Sequence, residues 1–186
     1  MFRRISISSL KFLLAGKGLS FRTGQHFGEA MLVGLFTGFV VVAFRYMIEF
    51  GESLLMNGSW LDGRRWAMLF LPALGALAGH LLIKRFARLE HARGTDSAIR
   101  AYHQNGGYIT SAVVPIKSVA SVLTVGSGGS AGYEGPVTLI GAACGSIVGR
   151  TLRLGTRERR ILMAAGLAAG IAALFQAPLA GAIFGF

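Results

Sequence analysis

A glycine-rich stretch at residues 126–136, GSGGSAGYEGP, combines residue types that can hold an anion. Consecutive backbone amides followed by the first turn of a helix form an anion-binding nest. A nucleotide-binding P-loop would end in Gly-Lys-Ser or Gly-Lys-Thr, whereas this stretch ends in Tyr133-Glu134-Gly135-Pro136 and contains no lysine. Pro136 suits a first helical turn, where its missing amide costs nothing. The stretch therefore predicts a helix amino terminus that holds an unhydrated anion, with ordinary glycine packing as the alternative.

Glu134 is the only acid between Asp96 and Glu158, and it lies within apolar sequence. A charged side chain at the centre of a membrane helix costs about 2.5 to 3.5 kcal/mol by translocon insertion, so an intramembrane carboxylate is a candidate functional group. At a helix amino terminus the carboxylate can occupy the anion site and leave when it is protonated. We predict that Glu134 is both gate and proton acceptor; a simple helix-capping acid is the alternative.

The composition of the chain indicates a membrane protein. Hydrophobic residues make up 53% of its 186 residues and charged residues only 15%, whereas a soluble domain carries about 25% charged residues. The single cysteine, Cys144, permits no internal disulfide, and the histidines and Cys144 form neither a metal-ligand spacing nor a nucleophile triad. We therefore expect no enzyme activity, no metal and no cofactor.

The positive charge of the chain is segregated along the sequence. Nineteen Lys and Arg against eight Asp and Glu give a net charge of +11, which would ordinarily suggest nucleic acid as a partner. The basic residues instead cluster at residues 3–22, 84–93 and 150–160, with long uncharged blocks between them. That distribution is typical of cytoplasmic flanks of membrane helices. We expect a cytoplasmic amino terminus and no nucleic-acid partner.

Two apolar segments predict an out-and-back hairpin across the membrane. A basic segment at residues 1–26 precedes the first spanning candidate, residues 27–50, and the second candidate is residues 66–83. Each is long enough for the roughly 30 Å hydrocarbon core. The polar loop between them, residues 51–65, should lie outside, and its Asn57-Gly58-Ser59 is better explained as a turn than as a glycosylation site.

After this hairpin the apolar segments become short and interrupted. The sequence predicts a short helix at 96–104, a nearly spanning one at 109–125 with Pro115 in its first turns, and a half-length one at 137–149, about 20 Å long. Gln176-Ala177-Pro178 divides residues 161–186 into two short halves, which fit either one spanning helix or a re-entrant pair. Such irregular backbone at membrane depth lines a cavity or is buried in protein, as in transporters and channels with broken helices.

Small residues spaced four apart predict close helix packing without locating the interface. These pairs and triplets are Gly34/Gly38, Gly75/Gly79, Gly141/Gly145/Gly149, Gly166/Gly170 and Gly181/Gly185.

The stretch at residues 126–136 resembles the GSGGSAGxEGP stretch of the ClC family of chloride channels and chloride/proton antiporters. Two further segments match the family in the same order. Residues 94–99 (GTDSAI) fall at its first anion-binding turn, and residues 164–184, which include QAPLAG, are similar to its Ala/Gly-rich segment. The resemblance covers about residues 27–186.

The resemblance implies an all-α integral membrane fold: a ClC-like bundle of tilted, broken and re-entrant helices, one of two inverted repeats. It divides the chain into a basic cytoplasmic segment, 1–26, and a truncated amino-terminal half of a transmembrane domain, 27–186. By the same resemblance, Glu134 is the gating glutamate, the Thr95 hydroxyl donates to a central anion, and the amides of Tyr133, Glu134 and Gly135 face an outer anion site.

The function that the resemblance implies is transport of chloride or a similar small anion, as a channel or as an anion/proton antiporter. Its partners would be small anions, protons, the lipid membrane and, in a completed chain, a second copy in a homodimer of the inner cell membrane. The alternative is a non-transporting membrane polypeptide that only packs with a full-length subunit.

Two residues depart from the family pattern. Tyr133 stands where Arg is common, so the mouth of the pathway loses a cation that would attract anions. Asp96 stands where Gly is typical; it either caps the short helix or weakens anion binding as a neighbouring carboxylate.

Overall fold

The computed structural model describes residues 19–56, 65–86 and 94–185, and within them the chain is all-α with no strand. The described residues form seven helices: α1 (Leu19–Met56), α2 (Arg65–Arg85), α3 (Thr95–His103), α4 (Val113–Gly126), α5 (Glu134–Thr151), α6 (Thr156–Phe175) and α7 (Pro178–Phe184). The all-α fold class predicted from the sequence is confirmed. Residues 1–18 of the basic segment 1–26 and the predicted turn at Asn57-Gly58-Ser59 lie outside the described residues, whereas residues 19–26 form the start of α1.

The first helix is longer than predicted. α1 continues from residue 50 to Met56, so the first six residues of the predicted polar loop are helical. Those residues, GESLLM, contain no strong helix breaker after Gly51, and the Asn-Gly pair that favours a turn comes only afterwards. Among the described residues, Phe27–Leu55 of α1 is the one helix segment whose length and apolar composition suffice to cross a membrane, and α4 is a shorter apolar helix.

The interrupted part of the chain follows the prediction in outline but not in helix length. The nine-residue helix α3 lies one residue from its predicted place. The prediction of a half-length helix at residues 137–149 is wrong, because α5 has 18 residues and is about 27 Å long. Its first turn includes Glu134, Gly135 and Pro136, and it runs on to Thr151. The predicted division of residues 161–186 at Gln176-Ala177-Pro178 is confirmed, but the two helices are unequal, because α6 has 20 residues and α7 only seven.

The helix α5 forms the centre of the described bundle. Every residue from 137 to 146 is buried, and α5 packs against α1, α3, α4 and α6. One side of α5 contributes to a core cluster with α3, α4 and α6, formed by Ala98, Ala101, Ile109, Val113, Leu139, Ala142, Ala143 and Met163. The other side joins α1 in a cluster of Val41, Phe44, Ile48, Val137, Ile140 and Cys144. Burial of this apolar surface therefore fixes α5 on two sides.

Glycine lets the backbones of α5 and α6 touch. A methyl group added at Gly145 would overlap the Leu162 carbonyl, and methyl groups at Gly141 and Gly166 would each overlap the carbonyl of the other residue. A methyl group added at Gly75 would likewise overlap atoms of α4, whereas a methyl group added at Gly34 would have nothing within 4 Å. The four-residue glycine spacing thus predicts close packing correctly at the α5–α6 and α2–α4 contacts.

A buried serine ties the segment after α3 to α5. The Ser146 hydroxyl donates to the Gly107 carbonyl at 2.7 Å and accepts from the Ile109 amide at 3.0 Å. Ser146 is fully buried, so both of these backbone groups are satisfied without water. The two hydrogen bonds fix the loop after α3 on α5 and hold α3 beside it.

Gly145→Ala tests the importance of the α5–α6 contact. We expect the free energy of unfolding to fall by about 1 to 3 kcal/mol, because the added methyl group forces the two backbones apart. Gly34→Ala is the matched control; it should leave stability unchanged or raise it by up to about 1 kcal/mol through helix propensity. Both variants can be compared by detergent-induced unfolding followed by circular dichroism. Equal behaviour of the two variants would contradict the packing described here.

Candidate anion-binding site

The amino termini of α3 and α5 meet, although about 40 residues separate them in the sequence. Gly94, which precedes α3, has a φ of 81° and lies so close that an added Cβ would be 3.7 Å from the Gly135 Cα. One residue further on, the Thr95 Oγ1 lies 3.2 Å from the Thr138 Oγ1. The positive φ and the close backbone approach both favour glycine at position 94. The structure therefore brings Thr95 and Gly135, two of the sequence-predicted site residues, together.

The start of α5 presents backbone donors that no group in the described residues accepts. Tyr133 is the N-cap residue, and no side chain caps the helix. The first amide with a backbone acceptor is that of Val137, which donates to the Tyr133 carbonyl at 3.0 Å. In the described part of the chain, the amides of Tyr133, Glu134 and Gly135 have no hydrogen-bond acceptor. The resemblance stated in the sequence analysis implies that these three amides face an anion, and Pro136 has no amide proton to add.

The Glu134 carboxylate lies at the same helix terminus and is exposed. No hydrogen bond to this carboxylate occurs among residues 19–56, 65–86 and 94–185. Glu134 is the first residue of α5 rather than its N-cap, so the alternative of a simple helix-capping acid has no hydrogen bond to support it. A carboxylate near a helix amino terminus is nevertheless stabilised by the helix dipole, and a free side chain can approach or leave the three amides.

Asp96 does not cap α3. The N-cap is Gly94, and no side chain makes a capping hydrogen bond there. Asp96 is instead an exposed residue in the first turn. Its negative charge near the helix terminus interacts favourably with the dipole and would oppose an anion at the same end. The prediction that Asp96 caps α3 is therefore wrong, and the expectation that its charge weakens anion binding stays a prediction.

The Thr95 hydroxyl already has a protein partner, Thr138, which the sequence analysis did not single out. Thr138 is almost fully buried and donates its hydroxyl proton to the carbonyls of Glu134 at 2.5 Å and Gly135 at 3.0 Å. Either hydroxyl can donate in the 3.2 Å contact between the two threonines, and Thr95 is the donor whenever the Thr138 proton is directed to a carbonyl. To donate to an anion, Thr95 has to rotate away from Thr138. The available signal for Thr138 was its place one helical turn after Glu134.

The described residues offer no metal site. They contain no group of three or more His, Cys, Asp and Glu side chains close enough to hold a metal ion. The site consists instead of helix termini, backbone amides, two hydroxyls and the carboxylates of Glu134 and Asp96. These groups suit a small monovalent anion.

Comparison with known proteins identifies the family. A sequence profile described as voltage gated chloride channel matches residues 74–186, which is more than half of the chain and includes both helix termini of the site. The chain belongs to the voltage-gated chloride channel family. The ClC resemblance of the glycine-rich stretch is thereby confirmed, and the chain is an integral membrane protein of this family.

Similar proteins support the same assignment. A voltage-gated ClC-type chloride channel, ClcB, from Escherichia coli O81 is 33% identical over 164 residues, covering 83% of this chain and 39% of the relative. The crystal structure of a slow cyanobacterial chloride/proton antiporter superposes with a TM-score of 0.64 at 30% identity, covering 84% of this chain and 38% of the antiporter chain. The chain therefore spans well under half the length of the proteins that it matches.

A second structure supports the fold alone. The crystal structure of a CLC-type fluoride/proton antiporter superposes with a TM-score of 0.73 at 24% identity, over 91% of this chain and 41% of that chain. The ClC-like bundle predicted from the sequence is confirmed by these superpositions.

Removing either hydroxyl of the threonine pair tests how Thr95 contributes. Thr95→Val keeps the side-chain shape and should weaken chloride binding about tenfold if the hydroxyl donates to the anion, since hydrogen bonds to charged groups are worth about 1.5 to 3 kcal/mol. Thr138→Val removes the competing acceptor and should strengthen binding a few-fold. Calorimetric titration with chloride and bromide measures both effects. An unchanged affinity in Thr95→Val would restrict Thr95 to the bond with Thr138.

Proposed function

We propose that this chain contributes to a transmembrane pathway for chloride or a similar small anion, in which the anion binds at the amino terminus of α5 and Glu134 gates it. The observation that carries the proposal is the set of three amides, of Tyr133, Glu134 and Gly135, without acceptors next to a carboxylate without hydrogen-bonding partners in the described residues. A helix terminus carries about half a positive charge, enough to hold an anion without trapping it. In this proposal Glu134 and the anion compete for the same charge.

Protonation is the switch in this mechanism. An ionised Glu134 occupies the three amides and blocks the site, whereas a neutral Glu134 loses its attraction to the helix dipole and leaves. The proton that it takes up can then move in the direction opposite to the anion. The name of the chloride/proton antiporter that resembles this chain is consistent with coupling of this kind.

The remaining parts of the proposal concern the setting of the chain. We place the amino terminus in the cytoplasm, with residues 27–186 forming one half of a transmembrane domain in an inner membrane and a second copy completing a homodimer. The arginines at 150, 153, 157, 159 and 160 support this orientation, because they cluster at the junction of α5 and α6, as expected at a cytoplasmic face.

Glu134→Gln tests the gate directly. The amide imitates the protonated acid at nearly constant volume, so anion flux should persist, its pH dependence should flatten, and proton movement should stop. The measurement is paired chloride and proton flux in liposomes between about pH 4 and about pH 8, a range that includes the usual titration of carboxyl groups. A suitable protein is a chimera in which residues 1–186 replace the matching part of the Escherichia coli relative.

Asp96→Asn is the matched control for Glu134→Gln. It also neutralises an exposed acid in the first turn of a helix, but it lies at the start of α3 rather than α5. The anion flux of the Asp96→Asn chimera should keep the pH dependence of the parent chimera. A Glu134→Gln chimera that is folded and retains the parent pH dependence would contradict the gate.

Cysteine labelling tests the proposed orientation. Glu52 at the far end of α1 and Arg157 at the start of α6 are both exposed. A cysteine at position 52 should react with a membrane-impermeant reagent added outside sealed vesicles, and a cysteine at position 157 should react only after the inner face is opened. Cys144 is buried and serves as the unreactive background. The opposite labelling pattern would reverse the topology.

A second candidate function rests on the exposed apolar surface. Leu179 and Ile183 on α7 are 82% and 77% exposed, and the chain covers 39% of its Escherichia coli relative. A chain of this kind can associate with a full-length subunit without conducting anions. Liposomes that contain only this chain, compared with liposomes that also contain the relative, separate the two functions: no flux by the chain alone, together with co-purification with the relative, favours association.

A further inference from the structure

Three arginines at the junction of α5 and α6 converge on the end of α3 and the segment that follows it. Arg150 lies in the last turn of α5, and Arg159 and Arg160 lie near the start of α6. Each of them donates one hydrogen bond across to the α3 side; we call these three residues the arginine patch. The acceptors, in the same order, are the Ser111 hydroxyl at 2.6 Å, the Gly106 carbonyl at 2.9 Å and the His103 carbonyl at 3.2 Å.

Two tyrosines orient the arginine patch further. The Arg150 guanidinium lies 4.8 Å from the centre of the Tyr108 ring, and the Arg160 guanidinium lies 5.6 Å from the centre of the Tyr102 ring. Both tyrosines are themselves exposed. Contact with the face of an aromatic ring holds a guanidinium group in place without using its N–H donors. The patch is therefore a fixed array of positive charges rather than a set of freely moving surface arginines.

No carboxylate neutralises the arginine patch within the described part of the chain. The salt bridge found there, on α1, does not involve these arginines. Residues 97–157 contain a single acid, Glu134, which lies at the opposite end of α5. The nearest acid in sequence, Glu158, accepts a hydrogen bond from the Gly155 amide at 3.0 Å. Three fixed positive charges thus lack a counter-ion among the residues that the structure describes.

The arginine patch also has donors to spare. A guanidinium group carries five N–H donors, and each arginine of the patch uses one nitrogen in its hydrogen bond to the α3 side. The Nε atoms of Arg150 and Arg160 are buried and have no acceptor in the described residues. Unpaired donors on a partly buried charge are unfavourable. Phosphate matches this arrangement, because its oxygens accept several hydrogen bonds from planar guanidinium groups.

Exposed apolar side chains flank the arginine patch. Leu152 follows Arg150 by two residues and is 44% exposed, and Ile161 follows Arg160 directly and is 48% exposed. Arginine and tyrosine at the ends of membrane helices are typical of the membrane–water interface. A dissolved phosphate would leave the apolar side chains uncovered, whereas a phospholipid offers them its acyl chains. The combination of phosphate donors and apolar surface therefore fits a lipid.

We propose that the arginine patch binds the phosphate of an anionic phospholipid, whose acyl chains lie against Leu152 and Ile161. The lipid supplies the counter-charge that the described residues lack and joins α5 and α6 to the end of α3. Basic pockets between membrane helices bind anionic headgroups by the same physics. The inference depends neither on Glu134 nor on anion flux, so it can fail or hold independently of the proposed gate.

Lipid preference of the 186-residue chain tests the proposal. Native mass spectrometry in a neutral detergent measures binding of phosphatidylglycerol relative to phosphatidylcholine with the same acyl chains. The chain should prefer phosphatidylglycerol, and Arg150→Gln and Arg160→Gln should each lower that preference about fivefold. Arg85→Gln is the matched control, because it removes an exposed arginine at the end of α2. A chain without the preference, or an equal loss in Arg85→Gln, overturns the inference in favour of diffuse attraction between charges.

Ser111→Ala separates lipid binding from a purely structural role of Arg150. The variant removes the acceptor of Arg150 and leaves the guanidinium charge, so the preference for phosphatidylglycerol should be retained. An equal loss of preference in Ser111→Ala and Arg150→Gln would make Arg150 a tie to the α3 side and overturn its role in lipid binding. Circular dichroism confirms that the compared variants keep their helices. Arg150→Lys, which keeps the charge, replaces Arg150→Gln if the latter does not fold; it should lower the preference less than Arg160→Gln does.

A competition experiment distinguishes the lipid from dissolved phosphate. Inorganic phosphate and glycerol phosphate carry the same acceptor oxygens but no acyl chains. At an ionic strength matched with sodium chloride, neither should displace bound phosphatidylglycerol more than sodium chloride does. Specific displacement by inorganic phosphate would overturn the lipid proposal and make the patch a site for dissolved phosphate.

Discussion

The close contact between α5 and α6 is the constraint on which the rest of the structure depends. The two backbones can touch because Gly141, Gly145 and Gly166 have no side chains at the crossing. In a membrane there is no hydrophobic driving force between helices, so close van der Waals packing of this kind carries the association. With α6, α3 and the start of α4 on one side of α5, α1 packs on the other side, and the middle part of α5 is fully buried.

A rigid α5 gives the candidate site its geometry. Burial of residues 137–146 fixes the helix axis, and therefore fixes the point at which its first amides project. The bonds of Ser146 hold the segment after α3, so that the start of α3 comes to rest beside Gly135. Two helix amino termini then face one region, and each contributes about half a positive charge. The Glu134 carboxylate at that place experiences the field of the backbone dipoles, to which Asp96 in the first turn of α3 adds a negative charge.

The sequence predicts the chemistry of the site better than its geometry. Glycines, a lone acid and Pro136 are local signals of a helix amino terminus, and α5 begins at Glu134 accordingly. The pairing of Thr95 with Thr138 could not be predicted, because it depends on the approach of two helices that are distant in sequence. Helix lengths were wrong for a related reason. Arg157, Arg159 and Arg160 mark the start of an apolar segment but lie inside α6, which begins at Thr156, and α5 already begins at Glu134 instead of residue 137. The glycine spacing predicted close packing, yet only the structure shows that Gly34 takes no part in it.

The most direct test of the central claim is crystallographic detection of a bound anion at the start of α5. Bromide replaces chloride and can be located by its anomalous scattering. In the Glu134→Gln variant, a bromide peak is expected within hydrogen-bond distance of the Tyr133, Glu134 and Gly135 amides, about 3.3 Å for this larger ion. In the unaltered chain at neutral pH, the Glu134 carboxylate should occupy that position and the peak should be weaker. Absence of bromide from the three amides in the Glu134→Gln variant, with the helices of α3 and α5 in place, would contradict the account.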